Sequence, residues 1–570
     1  MLKLKEIINS KSSKVVLVTL LFVASLMILY YQRSFSYDYY ERIEFQSGGA
    51  RLYANLHYPN RDLTFQEKHP LVIFAHAFAS QRDLDLRVPL EFAKRGFFVA
   101  SIDYQGHGES GGAILNLNED DVPALARDCS NLLDKLETLS IYSQVNKNQI
   151  ALIGHSFGGM VVLMNDALDE RFNATVTWAG LVSLNLKELG FTPDPSYTKY
   201  IPENLINTTN VNDLLVIHHL NDPVLPYEEH ALVAQNRTGC DVIKITEFMF
   251  GFEHFLLSDW IMSETIIFVE NQLFGSSSIN GPINITYMYN YLILIITLIF
   301  LLIDSIYLER YFASYFKLKK INKHKLTETI ERKGKNKISH PLFKLALYIF
   351  IFVGTWAFFS FLFGFNGLII SSLVIIIFYI LMNYLEFEAS SFRSKISFYT
   401  SVKNYLKSQL ERKVLVQAVL STAFFVGFYL IFSLSYPFAF FFPSSFLSFL
   451  FALTGYPIYL SLEIFHRKII YPALSFIKSA KKKTIAIILI IILVQILFYG
   501  VALFWIFIPE VVAVNLVITI VLIKNSLLYE RTQNFLSLIV SSFLIIQIFF
   551  GATISTVLGL NAQINYLFWT

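Results

Sequence analysis

Cysteine and charged residues are both scarce in this chain of 570 residues. It has only two cysteines, which excludes a disulfide-dense secreted scaffold. Charged residues make up 16%, against about 25% in soluble domains, while hydrophobic residues reach 54%. The sequence also lacks a G-x-x-x-x-G-K-[ST] phosphate loop and a zinc-spaced set of cysteine and histidine. These absences argue against a soluble multidomain protein, a P-loop nucleotide hydrolase and a zinc-stabilised fold.

The sparse charge is divided unevenly along the chain. Residues 32–287 hold 17 basic and 32 acidic side chains, a net charge of −15, whereas the remainder holds 29 and 11, a net charge of +18. The overall formal charge of +3 is therefore a cancellation between two unlike parts. The acidic middle segment is predicted to be a soluble domain, and the flanking parts are basic and apolar.

The apolar residues cluster in runs long enough to cross a bilayer, which takes roughly 20 helical residues. The first run, from Val15 to Tyr31, ends in bulky residues rather than a small-residue cleavage site, so an uncleaved signal-anchor helix at 15–32 is favoured over a cleaved signal peptide. About eight further helices are predicted to form a membrane domain over 288–570. Their apolar runs lie at 288–308, 342–363, 366–385, 414–435, 440–462, 484–508, 510–525 and 535–558.

The basic residues outside the middle segment indicate its orientation, because Lys and Arg accumulate on the cytoplasmic side of a membrane. Apart from Lys344 at the start of a predicted span, they lie in the N-terminal 14 residues and in alternate loops, at 309–341, 386–413, 464–483 and 524–533. We therefore expect a multi-pass cell-membrane protein with residues 1–14 in the cytoplasm. The domain at 33–287 and the C-terminus are expected outside. Four N-x-[ST] sequons, all within the middle segment, agree with that location.

The acidic segment alternates strand-like and helix-like patterns. Apolar residues at a spacing of three to four over 118–139 predict a helix. Strands are predicted at Leu52–Leu56, Leu71–Phe74, Phe97–Ile102, Ile150–Ile153, Ala174–Trp178, Leu214–Ile217 and Val242–Ile245. Such alternation favours an α/β fold with a mostly parallel sheet, whose active groups collect at the carboxyl ends of the strands. Cys129 and Cys240 are expected to be buried free thiols, with a disulfide as the alternative.

One predicted strand end carries a G-x-S-x-G turn. The strand Ile150–Ile153 runs into Gly154-His155-Ser156-Phe157-Gly158, and a helix-like stretch follows. Small residues on both sides let the neighbouring backbone approach closely, which leaves the serine hydroxyl exposed on a tight elbow. Ser156 is therefore the candidate nucleophile, and a purely structural turn is the alternative.

A serine hydroxyl needs a base to become a nucleophile, and the base needs an orienting carboxylate. Asp222 follows the predicted strand Leu214–Ile217, and His254 follows the last strand, where we expect it to open a helix. Ser156, Asp222 and His254 stand in one of the known chain orders of a catalytic triad. Glu253 is an alternative acid, but it adjoins His254 in sequence, which is a poor geometry.

A third strand end suits the stabilisation of an oxyanion. The strand Leu71–Phe74 continues into His76-Ala77-Phe78, a loop whose backbone N–H groups can point at a negative oxygen. The backbone N–H groups of Phe78 and Phe157 are the candidate oxyanion-hole donors. His218 and His219 are interpreted as packing residues at the end of their strand. No metal ion and no organic cofactor is expected.

A further loop carries a resemblance to a known family. Residues 103–112, Asp-Tyr-Gln-Gly-His-Gly-Glu-Ser-Gly-Gly, resemble the D-x-x-G-x-G-x-S-x-G loop of the α/β-hydrolase superfamily, in the branch that holds monoacylglycerol lipases and S33-type serine aminopeptidases. The resemblance spans roughly Ile43–Phe274. It implies an α/β-hydrolase fold and acyl transfer to water, with no catalytic role for His107. The chain departs from the branch at His76-Ala77, where His-Gly is usual.

Two classes of function remain open. The first is a membrane-anchored serine hydrolase that cleaves a lipid ester, a small acyl ester or a short peptide. The second is a transporter or sensor whose outer domain binds a ligand. Against the second, Asp304 and Glu463 lie near predicted cytoplasmic helix ends, where snorkelling explains them. Membrane lipid is the expected partner of the basic loops, and nucleic acid is not expected.

The stretch available for a cap over the site, near Leu184–Val211, is short for a lipase-like protein. It motivates the hypothesis that the membrane, or outer loops of the membrane domain, complete the substrate pocket.

Overall fold

The structure is a computed structural model. Its chain divides into two compact units. The sheet unit is built on Ser25–Ile296, and the helical unit on Met1–Ala24, Thr297–Leu434 and Phe449–Thr553. The structure describes residues 11–60, 68–78, 80–114, 116–117, 120–184, 195–249, 253–276, 281–316, 341–391, 398–435, 450, 452–505, 509–548 and 551. Most of the predicted basic loop at 309–341, part of the predicted span at 440–462 and the C-terminal tail lie outside the described residues.

The sheet unit contains one eight-stranded sheet. Its strands are β1 Tyr37–Ser47, β2 Ala50–Pro59, β3 His69–Ala75, β4 Phe98–Asp103, β5 Val145–His155, β6 Ala174–Trp178, β7 Leu214–His219 and β8 Asp241–Ile245. The order across the sheet is β1-β2-β4-β3-β5-β6-β7-β8, with β2 antiparallel to both its neighbours and all other pairs parallel. All seven predicted strands are present, and the mostly parallel sheet is confirmed.

The first strand was not predicted from the sequence. Most of β1 is exposed, and its buried residues include Tyr37, Ile43 and Phe45 near its two ends. An edge strand buries too few side chains to produce the apolar run that marks a central strand. Its pairing with β2 closes the antiparallel edge of the sheet.

Helices connect the strands of the sheet unit. They are α2 Arg87–Ala93, α3 Asp128–Glu137, α4 Phe157–Asp166, α5 Pro195–Thr198, α6 Pro202–Leu205, α7 Ala231–Thr238 and α8 Asp259–Phe274, while α1 Lys11–Ser36 precedes β1. The helix predicted over 118–139 begins as a tighter turn at Ala124–Arg127 and continues as α3. His254 does not open a helix as expected: it lies in a turn, and α8 begins at Asp259.

The direction in which successive strands are added to the sheet reverses at β3. The chain passes from β3 to β4 on one side and returns to β5 on the other side. Ligand sites of open parallel sheets lie outside the carboxyl ends of the strands at such a reversal. In the register of β3 and β5, Ala75 lies beside Gly154, so the loops that carry Phe78 and Ser156 begin next to each other. The sheet therefore brings two of the four chemically marked strand ends together.

The described part of the helical unit consists of helices, most of them long and apolar. They are α9 Tyr287–Tyr315, which begins in the sheet unit, α10 Pro341–Ser391, α11 Phe398–Gln409, α12 Arg412–Ser435, α13 Tyr456–Ile464, α14 Tyr471–Ala473, α15 Ala480–Trp505, α16 Pro509–Thr532 and α17 Phe535–Ile548. Among the described residues, three helical segments are long and apolar enough to cross a membrane: Ser12–Ser36, Tyr287–Tyr315 and Arg412–Ile431. The count of nine spans stays a prediction.

One long helix differs from the expected pattern. α10 runs without a break through residues 364–366, where a loop was expected between two spans. No proline follows Pro341 within it, so no residue there removes a backbone donor and stops the helix. At 1.5 Å per residue its length is about 76 Å, more than twice the hydrocarbon core of a bilayer.

The helical unit also buries the two acidic side chains that were expected to snorkel, Asp304 and Glu463. The Asp304 carboxylate accepts a hydrogen bond from the Thr19 hydroxyl at 3.0 Å, so snorkelling does not explain it. The Glu463 carboxylate accepts hydrogen bonds from the Tyr459 hydroxyl at 2.8 Å and the Asn525 side chain at 2.6 Å. Arg467 Nε lies 3.1 Å from the same carboxylate, and both charged side chains are fully buried. Snorkelling therefore does not explain Glu463, which belongs to a buried polar cluster made with α16.

Candidate active site

Ser156 occupies a strained turn between β5 and α4. Its φ is +55°, a left-handed conformation that is costly for a residue with a side chain. The turn is held by backbone hydrogen bonds, since the Ser156 N–H donates to the Trp178 carbonyl at 2.8 Å and the Leu181 N–H donates to the Ser156 carbonyl at 2.9 Å. The neighbouring strand β6 thus stabilises the elbow that the G-x-S-x-G pattern predicted.

The glycines of the elbow allow two backbone segments to meet. A Cβ on Gly158 would collide with the carbonyl oxygens of Ala75 and His76, and a Cβ on Gly154 would collide with the Gly158 carbonyl. Backbone atoms have little room to retreat from such a contact. Glycine is therefore required where α4 crosses the end of β3.

The three predicted catalytic side chains lie together at the carboxyl edge of the sheet. The Ser156 hydroxyl and His254 Nε2 are 2.9 Å apart, and His254 Nδ1 is 2.8 Å from Asp222 Oδ2. All three residues are buried, with relative exposures of 6–7%. The Asp222 carboxylate, the His254 imidazole and the Ser156 hydroxyl thus follow one another in hydrogen-bonded order. In this arrangement the histidine can take a proton from the serine.

Asp222 is held as a carboxylate by its surroundings. Its Oδ1 accepts hydrogen bonds from the Val224 and Leu225 N–H groups at 2.8 and 3.0 Å. Burial raises the pKa of Asp222, but the hydrogen bond and charge of His254, together with these N–H donors, outweigh it, so the pKa lies below its usual value. An ionised Asp222 accepts the Nδ1 proton of His254, which leaves the Nε2 lone pair facing Ser156.

The neighbouring histidines fill packing positions. His218 Nε2 lies 2.8 Å from the Leu225 carbonyl, and His219 Nε2 lies 2.7 Å from the Glu247 carbonyl. Both rings are buried at the end of β7, as the sequence analysis interpreted them. The contact of His218 fixes the loop after β7 that carries Asp222, and the contact of His219 joins the end of β7 to the segment after β8.

The backbone of His254 is fixed by residues that the sequence analysis missed. His155 Nε2 lies 2.9 Å from the His254 carbonyl. Burial, together with the charges of Arg87 and His254, lowers the pKa of His155 to about 3, so the ring is neutral near pH 7 and its Nε2–H donates. Arg87 donates to the Phe255 and Leu256 carbonyls at 3.0 and 3.1 Å. His155 and Arg87 therefore anchor three consecutive carbonyls, that of His254 and the two that follow it.

The two candidate oxyanion-hole residues lie at neighbouring strand ends. Phe157 is the first residue of α4, so its N–H has no acceptor within the helix. Phe78 follows β3, its side chain is 57% exposed, and its ring centroid lies 5.8 Å from that of Phe157. Their backbone donor roles stay a prediction, while the exposed Phe78 ring provides apolar surface beside Ser156.

The loop at residues 103–112 braces the segment that follows β3. Asp103 accepts a hydrogen bond from the Arg82 N–H at 2.6 Å and forms an ion pair with the Arg82 guanidinium, which also contacts Glu109. Burial raises the pKa of Asp103, but Arg82 and His76 outweigh it and bring the pKa down to about 2. This buried charge cluster holds the loop from His76 to Arg82.

His107 is buried within an aromatic group near the elbow. Burial and the charge of His76 lower the pKa of His107 to about 3, so its ring is neutral near pH 7. Its ring centroid lies 5.4 Å from Phe78 and 6.0 Å from Phe157. Within the described parts of the chain, no group of three or more His, Cys, Asp or Glu is arranged to hold a metal ion. Both cysteines are free thiols, as expected, but only Cys129 is buried, since Cys240 is partly exposed just before the edge strand β8.

Residues 66–244 match the family model of the serine aminopeptidase S33 hydrolases. Platelet-activating factor acetylhydrolase of Canis lupus familiaris is 24% identical over 160 residues, which cover 20% of this chain and 36% of that one. The enzyme of Cavia porcellus is 25% identical over 168 residues, covering 22% and 38%. The chain spans a little over a third of the length of these curated relatives.

Solved structures show the same kind of similarity. The acylaminoacyl peptidase of Pyrococcus horikoshii is 18% identical, with a TM-score of 0.33 over 41% of this chain and 42% of that one. The family match and the topology of the sheet confirm the predicted α/β-hydrolase fold of the sheet unit. The family match over residues 66–244 supports the predicted class of enzyme, a serine hydrolase.

The crossing of α4 and β3 generates a testable prediction. We expect Gly158→Ala to lower the hydrolysis rate about 10-fold or more, because the added methyl pushes the elbow away from the loop after β3. The matched control is Gly239→Ala, which also adds a methyl at a glycine but into open space, at a φ of +70°. That control should lose about 1 kcal/mol of stability and keep its rate. Equal rates for the two variants would contradict the packing argument.

Proposed function

We propose that this protein is a membrane-anchored serine hydrolase that cleaves an acyl ester of a lipid or small molecule, or a short peptide. The observation that carries the proposal is the hydrogen-bonded series from Asp222 through His254 to Ser156. Its members follow three different strands of a parallel sheet, β7, β8 and β5. A domain that only binds a ligand has no need of this arrangement.

The proposed reaction proceeds through an acyl-enzyme. Ser156 Oγ attacks the substrate carbonyl carbon while its proton passes to His254 Nε2, and the Asp222 carboxylate stabilises the resulting imidazolium. The backbone N–H groups of Phe78 and Phe157 stabilise the oxyanion. The leaving alcohol or amine takes the proton from His254. Water then gives a proton to His254 and attacks the acyl-enzyme, which releases the acid and restores Ser156.

Two observations support an apolar acyl ester as the substrate. The curated relatives are acetylhydrolases of platelet-activating factor, which favours an ester. The half-exposed Phe78 ring beside the elbow offers a surface for an apolar acyl group. The family model is that of a serine aminopeptidase, and it supports a short peptide as the second substrate class.

The anchoring of the sheet unit is part of the proposal. Two helical segments that are long enough to cross a membrane flank the strands and helices of the sheet unit in sequence. Ser12–Ser36 lies directly before β1, and Tyr287–Tyr315 lies shortly after α8. The pattern of basic residues supports an outer location for the sheet unit between them. We accordingly propose a cytoplasmic N-terminus, an extracytoplasmic hydrolase and a multi-pass membrane domain.

A second candidate function is favoured by one feature of the helical unit. Ionisable groups buried among membrane helices mark transport and relay pathways in many membrane proteins. The buried pair Glu463 and Arg467 is such a feature. A transporter or sensor whose outer domain binds a ligand is therefore the alternative.

The roles within the triad are tested by three single substitutions. Ser156→Ala and Asp222→Asn should each lower hydrolysis of a chromogenic short-chain ester, the former to background and the latter by about 10³–10⁴-fold, because the imidazole loses its orienting charge. Glu253→Gln is the matched control, since Glu253 adjoins His254 and is also a buried acid. It should keep its rate. Loss of activity in Glu253→Gln with retention in Asp222→Asn would reverse the assignment of the acid.

The membrane orientation and the alternative function are tested together on intact cells. A membrane-impermeant fluorophosphonate should label the wild-type protein as fully as a permeant one, because the serine is proposed to face outside. Ser156→Ala should label with neither probe. Labelling by the permeant probe alone would contradict the orientation, and labelling of the wild-type protein by neither probe would favour the ligand-binding alternative.

A further inference from the structure

Helix α2 is buried along its whole length although it carries charged side chains. Arg87 is 3% exposed and Glu91 is fully buried. Buried charges persist in proteins only with partners that replace water. The partners of these two residues lie at opposite ends of the helix, and they belong to different parts of the sheet unit.

At one end, Glu91 caps the first turn of α9. Its Oε1 accepts hydrogen bonds from the backbone N–H groups of Thr286 and Tyr287 at 2.8 and 2.7 Å. The first N–H groups of a helix have no acceptor of their own, and a carboxylate is stabilised by the positive end of the helix dipole. Lys94 forms an ion pair with Glu91 and donates to Thr286 Oγ1 at 2.9 Å. The start of α9 is thus fixed to α2.

At the other end, Arg87 holds the turn that follows His254. Besides its bonds to the Phe255 and Leu256 carbonyls, its guanidinium pairs with Asp85 at 2.6 Å and lies 4.5 Å above the Trp178 ring. Leu256 has a φ of +52°, a conformation that a branched side chain adopts only under constraint. Arg87 supplies hydrogen bonds that maintain this turn.

A third contact joins the same end of α2 to α9. The Leu86 N–H donates to the Tyr291 hydroxyl at 3.3 Å, one helical turn beyond the capped start of α9. One short rigid helix therefore contacts the first two turns of a long apolar helix and the backbone that carries His254. A displacement of the start of α9 is transmitted to that backbone because α2 has no space in which to move independently.

We propose that Arg87 is a positioning residue for His254, and that Glu91 couples the placement of the start of α9 to the activity of the site. The inference rests on the proposed function, in which His254 is the general base. The hydrolysis rate then depends on how α9 is seated, so that the membrane environment of this helix regulates the enzyme. The coupling acts on the position of the base and not on substrate binding.

The test uses the full-length protein in lipid nanodiscs. Glu91→Gln should lower kcat about 5- to 10-fold, the lower range of measured coupling between sites, with KM changed less than about twofold. Arg87→Lys should lower kcat about 100-fold, because a single ammonium cannot hold both carbonyls and the Asp85 carboxylate. Hydrogen–deuterium exchange at residues 253–258 should be faster in both variants than in the wild-type protein.

Glu270→Gln is the matched control. Glu270 is also a fully buried glutamate in an ion pair, but its carboxylate pairs with Arg95 at 2.5 Å rather than capping α9. It should keep both kcat and the exchange rate at residues 253–258. Should Arg87→Lys fail to fold, Tyr291→Phe, which loses only the hydroxyl bonded to Leu86, replaces it, with faster exchange at 253–258 expected.

The outcomes separate this inference from the proposed function. Wild-type kcat and wild-type exchange in Glu91→Gln would overturn the coupling even if the enzyme is fully active. A wild-type protein without hydrolase activity would overturn the proposed function, and exchange at residues 253–258 would still decide whether α2 couples α9 to that turn. An equal loss of kcat in Glu270→Gln and Glu91→Gln would show that the loss comes from a general decrease in stability, and it would also overturn the coupling.

Discussion

The buried hydrogen bond between Asp222 and His254 is the interaction on which the arrangement of the site depends. It fixes which ring nitrogen carries the proton, and so directs the Nε2 lone pair towards Ser156. The bond forms only if the loops after β7 and β8 meet at one edge, and the loop after β5 brings Ser156 to the same edge, which a parallel sheet ensures. Burial raises the pKa of Asp222, but His254, together with the N–H groups of Val224 and Leu225, lowers it below its usual value. The parallel sheet and the surroundings of the Asp222 carboxylate therefore both stabilise the hydrogen bond between Asp222 and His254.

The site stores strain at Ser156 and Leu256, and the surrounding structure holds both residues in place. The positive φ of Ser156 is maintained by hydrogen bonds to β6 and its following loop, and by the close crossing of Gly158 over β3. The positive φ of Leu256 coincides with the hydrogen bonds from Arg87. The strained turn at Ser156 presents the hydroxyl to His254, and the strained turn at Leu256 lies two residues after His254. Contacts that lie outside the triad offset the free-energy cost of these two strained backbone conformations.

The parts of the site that were predictable from sequence are those marked by local patterns. Ser156 stands in a glycine-flanked turn, and Asp222 and His254 each follow an apolar run that is typical of a strand. Arg87 and Glu91 were not predictable, because their partners are 168 and 196 residues away and a charge in a sequence window reads as exposed. Glu463 was misread for the same reason: its partners include Asn525. The edge strand β1 lacks the apolar run, so periodicity did not reveal it.

The central claim is that Ser156 is the nucleophile of an acyl-enzyme, and mapping the covalent adduct tests it most directly. The full-length protein would be treated with a fluorophosphonate at neutral pH, digested and analysed by tandem mass spectrometry, with and without prior incubation with an ester substrate. We predict a single phosphonate adduct, on Ser156, whose formation the substrate slows. An adduct on another residue, or an active enzyme that carries no adduct on Ser156, would contradict the account.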